Sequence, residues 1–289
     1  MSAKPTAPER PAGDSLHPPN PPISEASLLT PAALQKLLRS PVFGHRIFYY
    51  ETLGSTNDRA LELAAAGEAE GGLVLAEEQT CGRGRRERTW SSRPRLGIYA
   101  SLILRPEIAA PRTPLFTFMA AVSVAEALRE VTGIEARIKW PNDVRSGARK
   151  IAGILGEFRG GEPKIREIVV GFGVNVNQRS SDFPADLGDR ATSVRMERGE
   201  TVDRAPILAA ILEGFERRYA RMLRQGPADL LGEWAGLSAV SPGERVMVEG
   251  PGGRSEGTVR GVDEEGALLL EGAGGVPLRV PFGEIVEPI

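Results

Sequence analysis

Apolar residues along this chain fall into short alternating or continuous runs broken by glycine, with a few longer stretches at helical spacing. RIFYYETL (46–53), GLVLAEEQ (72–79) and GIYASLIL (97–104) read as strands, and a helix is expected between the first two, from about Asn57 to Ala66, closed by Gly67. Thr30 followed by Pro31 is a cap and a first-turn proline, opening a short helix through about Leu38. A long amphipathic helix is predicted from about Pro114 to Val131, stopped by Gly133, followed by ARIKW, a turn at Pro141 and Asn142, and a hairpin with Ser146 and Gly147 at its tip. IREIVVGFGVNVN (165–177) is apolar enough for a buried central strand. Ile207, Ile211, Leu212, Phe215 and Tyr219 recur at helical spacing between about Ala205 and Arg224, and Pro227 opens a short helix after them.

From about Val240 the pattern changes to RVMVEG, GTVRGV, ALLLEG and LRVPFGEI, short strands separated by glycine turns, which predict a small β-barrel of about 50 residues. The order of strands and helices is mixed and without internal repeat, so an α+β fold is expected, with a mixed β-sheet flanked by helices. Residues 1–23 hold seven prolines and few large apolar side chains, a composition that cannot bury enough surface to order itself. The expected division is a disordered tail over 1–23, a main domain over 24–238 and the small barrel over 239–289. The tail leaves no room for a helix-turn-helix module, and deleting it is expected to leave activity unchanged.

Composition narrows the function. The 36 basic and 38 acidic residues give a net charge of −2, so there is no global bias toward nucleic acid or an anionic membrane. Cys81 is the one cysteine and His17 and His45 the only histidines, too few for a disulfide framework or a zinc site. With no apolar run of about 18 residues and no signal-peptide core, a reducing cytoplasm is the expected compartment. Of the 36 basic residues only Lys4, Lys36, Lys139, Lys150 and Lys164 are lysines, so a lysine here marks a place where a compact ammonium is wanted.

Four stretches carry candidate chemistry. CGRGRRERTW (81–90) packs four arginines around two glycines; guanidinium forks and glycine backbone suit an anion such as phosphate or carboxylate, although a solvated loop or an RNA-binding patch also fits. Ser55, Thr56 and Asn57 lie between a strand and a helix, where hydroxyls and an amide either bind a neutral hydrogen-bonding group or simply cap the helix. Lys139-Trp140-Pro141-Asn142-Asp143 and Lys150-Ile151-Ala152-Gly153-Ile154-Leu155 place two of the rare lysines at strand ends, the second aimed into a cleft. Gly171-Phe172-Gly173-Val174-Asn175-Val176-Asn177 ends the most apolar strand with room for a ligand and two amides to meet it, or with no more than a strand end and a turn.

In this order, across about residues 45 to 195, these motifs resemble the biotin protein ligases, also called biotin–acetyl-CoA-carboxylase ligases. The resemblance implies a class II synthetase-like catalytic domain with an SH3-like C-terminal barrel. It also implies an ATP-dependent ligase that makes biotinyl-5′-AMP and transfers biotin to a lysine of a biotin carboxyl carrier protein domain. ATP and magnesium would be the cofactors and biotin the substrate, in a monomer or homodimer without a DNA-binding module.

On the matching positions, Ser55, Thr56, Asn57 and Gln79 would hold the ureido head of biotin. Arg83, Gly84 and Arg85 would form a mobile loop over the biotin carboxylate and phosphate, and Lys150 would face the reacting groups. Trp90, Lys139, Asn142, Asp143 and Asn175 would serve the nucleotide, with magnesium near Asp143. Glu87 and Thr89 depart from the glycine and lysine usual in this loop. Because four like charges repel, the loop is expected to be mobile until ligand anions supply counter-charge. A lipoate–protein ligase and a nucleic-acid-binding protein using the arginine loop are the rival readings.

Overall fold

The computed structural model describes residues 29–159, 164–165 and 167–288; the tail over 1–23 lies outside them. The elements are α1 (Pro31–Leu37), β1 (Ile47–Leu53), α2 (Thr56–Ala65), β2 (Leu73–Gln79), β3 (Gly97–Leu104), β4 (Ile108–Ala109), α3 (Pro114–Thr132), β5 (Ala136–Lys139), β6 (Asp143–Ser146), β7 (Arg149–Arg159), β8 (Lys164–Ile165), β9 (Glu167–Asn175), α4 (Val194–Arg198), α5 (Arg204–Gln225) and α6 (Ala228–Leu237). Five further strands complete the chain: β10 (Arg245–Gly250), β11 (Gly253–Val262), β12 (Leu268–Glu271), β13 (Pro277–Val280) and β14 (Glu284–Pro288).

Seven strands form one mixed sheet in the order β1-β2-β3-β9-β7-β6-β5, parallel only between β1 and β2. β9 lies at its centre, as an apolar run buried on both faces requires. On one face α2 packs Ala60 and Ala64 against Val74, Ile103 and Val169. The other face carries the main core, in which α3 is buried along almost its whole length beneath α5 and α6. α3 ends at Gly133, whose left-handed φ of 73° lets its N–H reach back to Arg129 O, a geometry costly for any side chain with a Cβ.

Charge inside this core is paired. Arg204 at the start of α5 is 1% exposed and meets Glu77 of β2 at 2.6 Å, while Glu77 also accepts from Leu29 N at 2.9 Å. One buried carboxylate thus joins the N-terminal segment, the sheet and α5, and removing either partner would leave an uncompensated charge.

β10 to β14 form an antiparallel sheet of five strands in the order β13-β12-β11-β10-β14, closed over Val246, Val248, Val259, Leu268, Leu270 and Ile285. This β-domain packs against the main unit: Trp140 Nε1 donates to Gly266 O at 3.1 Å, and Phe118, stacked on Trp234 at 4.8 Å, lies under Gly266. Among the described residues no helix is long and apolar enough to cross a membrane.

Candidate active site

Two contiguous cavities open where the main sheet, the arginine loop and the β-domain meet, one of about 460 Å³ and one of about 1070 Å³. Gly84, Arg85, Trp90, Asn142 and Lys150 line both, so these five residues mark the junction.

The smaller cavity begins at the N-terminus of α2. Ser55 is the N-cap there, and its hydroxyl holds Asp58 N only at 3.4 Å. Thr56 donates through both its backbone N–H (2.8 Å) and its hydroxyl (3.0 Å) to Gln79 Oε1, and Gln79 Nε2 donates to Ser92 at 2.9 Å. Asn57 is 4% exposed, and its amide donates to Leu155 O at 3.2 Å and to Glu157 at 2.7 Å while accepting from Ser101 at 2.6 Å. The Ser55, Thr56, Asn57 and Gln79 anticipated from sequence therefore share one wall, with Asn57 a buried hub whose two amide donors are both used. Ser101 and Glu157, which complete this network, carried no signal in the sequence because each is a lone polar residue in an otherwise strand-like run.

The floor is glycine for steric reasons. A Cβ on Gly171 would sit 1.9 Å from Asn57 Oδ1, and one on Gly173 would sit 2.4 Å from Trp90 Nε1. Gly153 leaves room for the Lys150 stem, 3.0 Å from where its Cβ would be.

At the junction Lys150 Nζ pairs with Asp143 at 2.6 Å and lies 5.3 Å from the centre of the Trp90 ring. Asn142 donates to Ile154 O at 2.7 Å and accepts from Arg85 at 3.1 Å, so its amide is fixed by strand β7 and in turn fixes Arg85. Burial, and next the positive charge of Arg86, lower the pKa of the Arg85 guanidinium. Asn175 lines the larger cavity with its amide donating to Thr192 O at 3.0 Å.

Lys139 lines neither cavity; it is buried on β5, paired in register with Asp143. Its ammonium reaches the site as a charge. Burial alone would raise the pKa of Glu284, yet the Arg88 hydrogen bond and the charges of Arg88, Lys139 and Lys150 outweigh it and hold that carboxyl below its ordinary value.

The arginine loop differs from expectation in one respect: its cations have protein partners. Arg83 bridges Asp58 (2.6 Å) and Glu157 (2.7 Å), Arg85 donates to Gly283 O (3.2 Å), Arg86 to Glu249 O (2.7 Å), and Arg88 pairs with Glu284 (2.9 Å). Two of the four cations meet carboxylates, which offsets part of the repulsion that was to keep the loop open, and three of the four arginines reach the β-domain. Pairing with carboxylates also argues against an open nucleic-acid patch. Arg86 and Glu87 adopt left-handed φ of 53° and 60°, so Glu87, where glycine is usual, occupies a conformation that favours glycine.

The wall of the larger cavity also includes Phe183, Leu187 and Ala191. The segment that carries Phe183 and Leu187 has no periodicity and gave no sequence signal. Among the described residues no group of three or more His, Cys, Asp or Glu could hold a metal ion.

Residues 49–175 match the biotin/lipoate A/B protein ligase family, and residues 243–286 match the biotin protein ligase C-terminal domain. The chain is 40% identical over 251 residues to the bifunctional ligase/repressor BirA of Bacillus subtilis, covering 86% of this chain and 76% of that protein. It is 36% identical to the biotin–[acetyl-CoA-carboxylase] ligase of Paracoccus denitrificans, covering 80% of this chain and 96% of that protein. The solved biotin protein ligase from Aquifex aeolicus in complex with biotin and ATP superposes with a TM-score of 0.70 at 30% identity, over 83% of this chain and 97% of that one. A cationic junction between two cavities, the β-domain that closes on it and these relatives agree: the chain belongs to the biotin protein ligases, enzymes that activate biotin with ATP and attach it to protein.

Proposed function

We propose that the smaller cavity holds biotin and the larger one ATP, and that the reacting carboxylate and α-phosphate meet at Lys150 and Arg85. The observation that carries this reading is the set of residues common to both cavities, two of them cations. Ser55, Thr56 and Gln79 offer hydroxyl, backbone and amide groups to a ureido ring, with Asn57 holding them in place. Trp90, Phe183, Leu187 and Ala191 offer apolar surface to the base. The unit over 24–238 would carry both sites and the unit over 239–289 would anchor the loop.

A biotin carboxylate approaching a triphosphate meets strong repulsion. Lys150 and Arg85 lower it by placing fixed positive charge where the carboxylate oxygen and the phosphorus approach. The carboxylate oxygen bonds to the α-phosphorus as the bond to pyrophosphate breaks, giving biotinyl-5′-AMP. The arginine loop then excludes water from the anhydride. In the second step a carrier lysine amine attacks the acyl carbon, AMP leaves, and the amine gives up a proton.

Asp143, which pairs with Lys150, and Glu284, which pairs with Arg88, are the carboxylates lining this cavity, and Asp143 would hold a magnesium ion, since such ions keep water and phosphate as their other ligands. When bound, the ion neutralises phosphate charge. Family members act on the biotin-carrier proteins of carboxylases, and we infer a biotin carboxyl carrier domain as the acceptor here.

Incubation with ATP, magnesium and labelled biotin should yield biotinyl-5′-AMP by mass spectrometry, and biotin but not lipoate should raise the melting temperature. Stabilisation by lipoate alone would move the chain to the lipoate side of its family. Arg85→Gly should weaken retention of biotinyl-AMP about tenfold while biotin affinity changes little, because the ureido wall is untouched and the charge-assisted contact at the anhydride is lost. Labelling of lysines on bystander protein reports the escape directly; equal retention in the variant and the parent would remove Arg85 from the lid.

A further inference from the structure

We propose that Arg145 binds the leaving pyrophosphate, as a cation set apart for the β- and γ-phosphates of ATP. This rests on the reading of the larger cavity as the ATP site. Arg145 lies on β6 two residues after Asp143, and its register partner on β7 is Lys150, across an irregularity in the ladder between Val144 and Arg145. In a ladder, residues two apart and directly opposite residues share a face, which places Arg145 beside the Asp143–Lys150 pair.

Its side chain lines the larger cavity but not the smaller one. Its Nε is out of solvent and has no hydrogen-bond partner. Among the described residues no carboxylate pairs with it: Asp143 is taken by Lys150, Glu284 by Arg88 and Glu197 by Arg149. A half-buried guanidinium with an unmet donor and no counter-ion is a ready site for an anion.

The position in the cavity selects which anion. In-line displacement sends the leaving group away from the attacking carboxylate, hence away from the smaller cavity, whereas the α-phosphate stays at the junction with Lys150 and Arg85. Of the cations that line the larger cavity alone, Arg86, Arg88 and Arg190 are held by Glu249 O, Glu284 and Asp186 O. Arg145 is the guanidinium left to meet the departing phosphates. Its role is therefore in ATP binding and pyrophosphate release, with no part in holding the adenylate.

The test compares Arg145→Met and Arg145→Lys with the parent enzyme in four measurements: KM for ATP, inhibition by inorganic pyrophosphate, the dissociation rate of biotinyl-AMP and the Kd for biotin. In Arg145→Met the first two should weaken together by about tenfold or more, the scale of one charge-assisted contact, with biotinyl-AMP release and biotin affinity within about twofold of the parent. Lysine should recover part of the loss. Unchanged ATP and pyrophosphate constants would overturn the proposal, as would biotinyl-AMP release that rises in step with them, which would put Arg145 on the adenylate. Should the methionine variant lose biotin affinity, Arg145→Gln takes its place in the same measurements: weakened ATP and pyrophosphate constants support the proposal and unchanged ones overturn it. A parent enzyme that makes no biotinyl-AMP would instead refute the assignment of the cavities, a separate failure.

Discussion

Lys150→Ala should slow the formation of biotinyl-5′-AMP by about 10² to 10³ while leaving the fold intact, the usual consequence of removing one preorganised electrostatic contact. The Lys150 side chain is 31% exposed and lines both cavities, so its loss opens no hole in the core. Two effects act together. The ammonium proposed to face carboxylate and phosphate is gone, and Asp143, 2.6 Å away in the parent, loses its lysine partner. Lysine is also the one residue here whose charge is backed by the Trp90 ring, 5.3 Å from Nζ, so Lys150→Arg is not a conservative rescue. Single-turnover mass spectrometry measures the step, and a rate near that of the parent would remove Lys150 from the chemistry.

Gly171→Ala should lower biotin affinity by about a hundredfold, near the upper end of what forcing a methyl group into a packed site costs. The new Cβ would lie 1.9 Å from Asn57 Oδ1, and Asn57 cannot swing away cheaply because Ser101, Leu155 O and Glu157 hold it. Displacing it disturbs Ser101, whose hydroxyl also lies 2.8 Å from that of Thr56, so the error spreads along the wall of the smaller cavity. Gly54→Ala, with no atom within 4 Å of its added Cβ, is the control and should bind biotin as the parent does. Calorimetric titration of both variants decides the matter: similar affinities would mean that the floor yields.

Much of this was legible in the sequence, and the reason differs by element. The burial of β9 on both faces wrote itself as an uninterrupted apolar run, and the stripe on α5 as helical spacing, because packing against a neighbour imposes a period. Ser55 was legible as a cap and Lys150 as a rare residue at a strand start. Arg145 was hidden among many arginines, and Phe183 in a segment without period. Lys139, expected at the nucleotide, is buried on the adjoining strand opposite Asp143 and lines neither cavity. The partners of the loop were the least legible, since Arg85 meets Gly283 across 198 residues of sequence and nothing local announces such a pairing.

That long reach sets an order of events during synthesis, when domains fold from the N-terminal side as the chain emerges. Every residue lining the smaller cavity is made by Gly173, whereas Glu249, Gly283 and Glu284, which receive Arg86, Arg85 and Arg88, come more than seventy residues later by the sequence numbering. The lining of the pocket is therefore synthesised before its cover has anywhere to land. On the role proposed for the loop, the contacts that would retain the intermediate form last, when the final strands of the β-domain join the sheet.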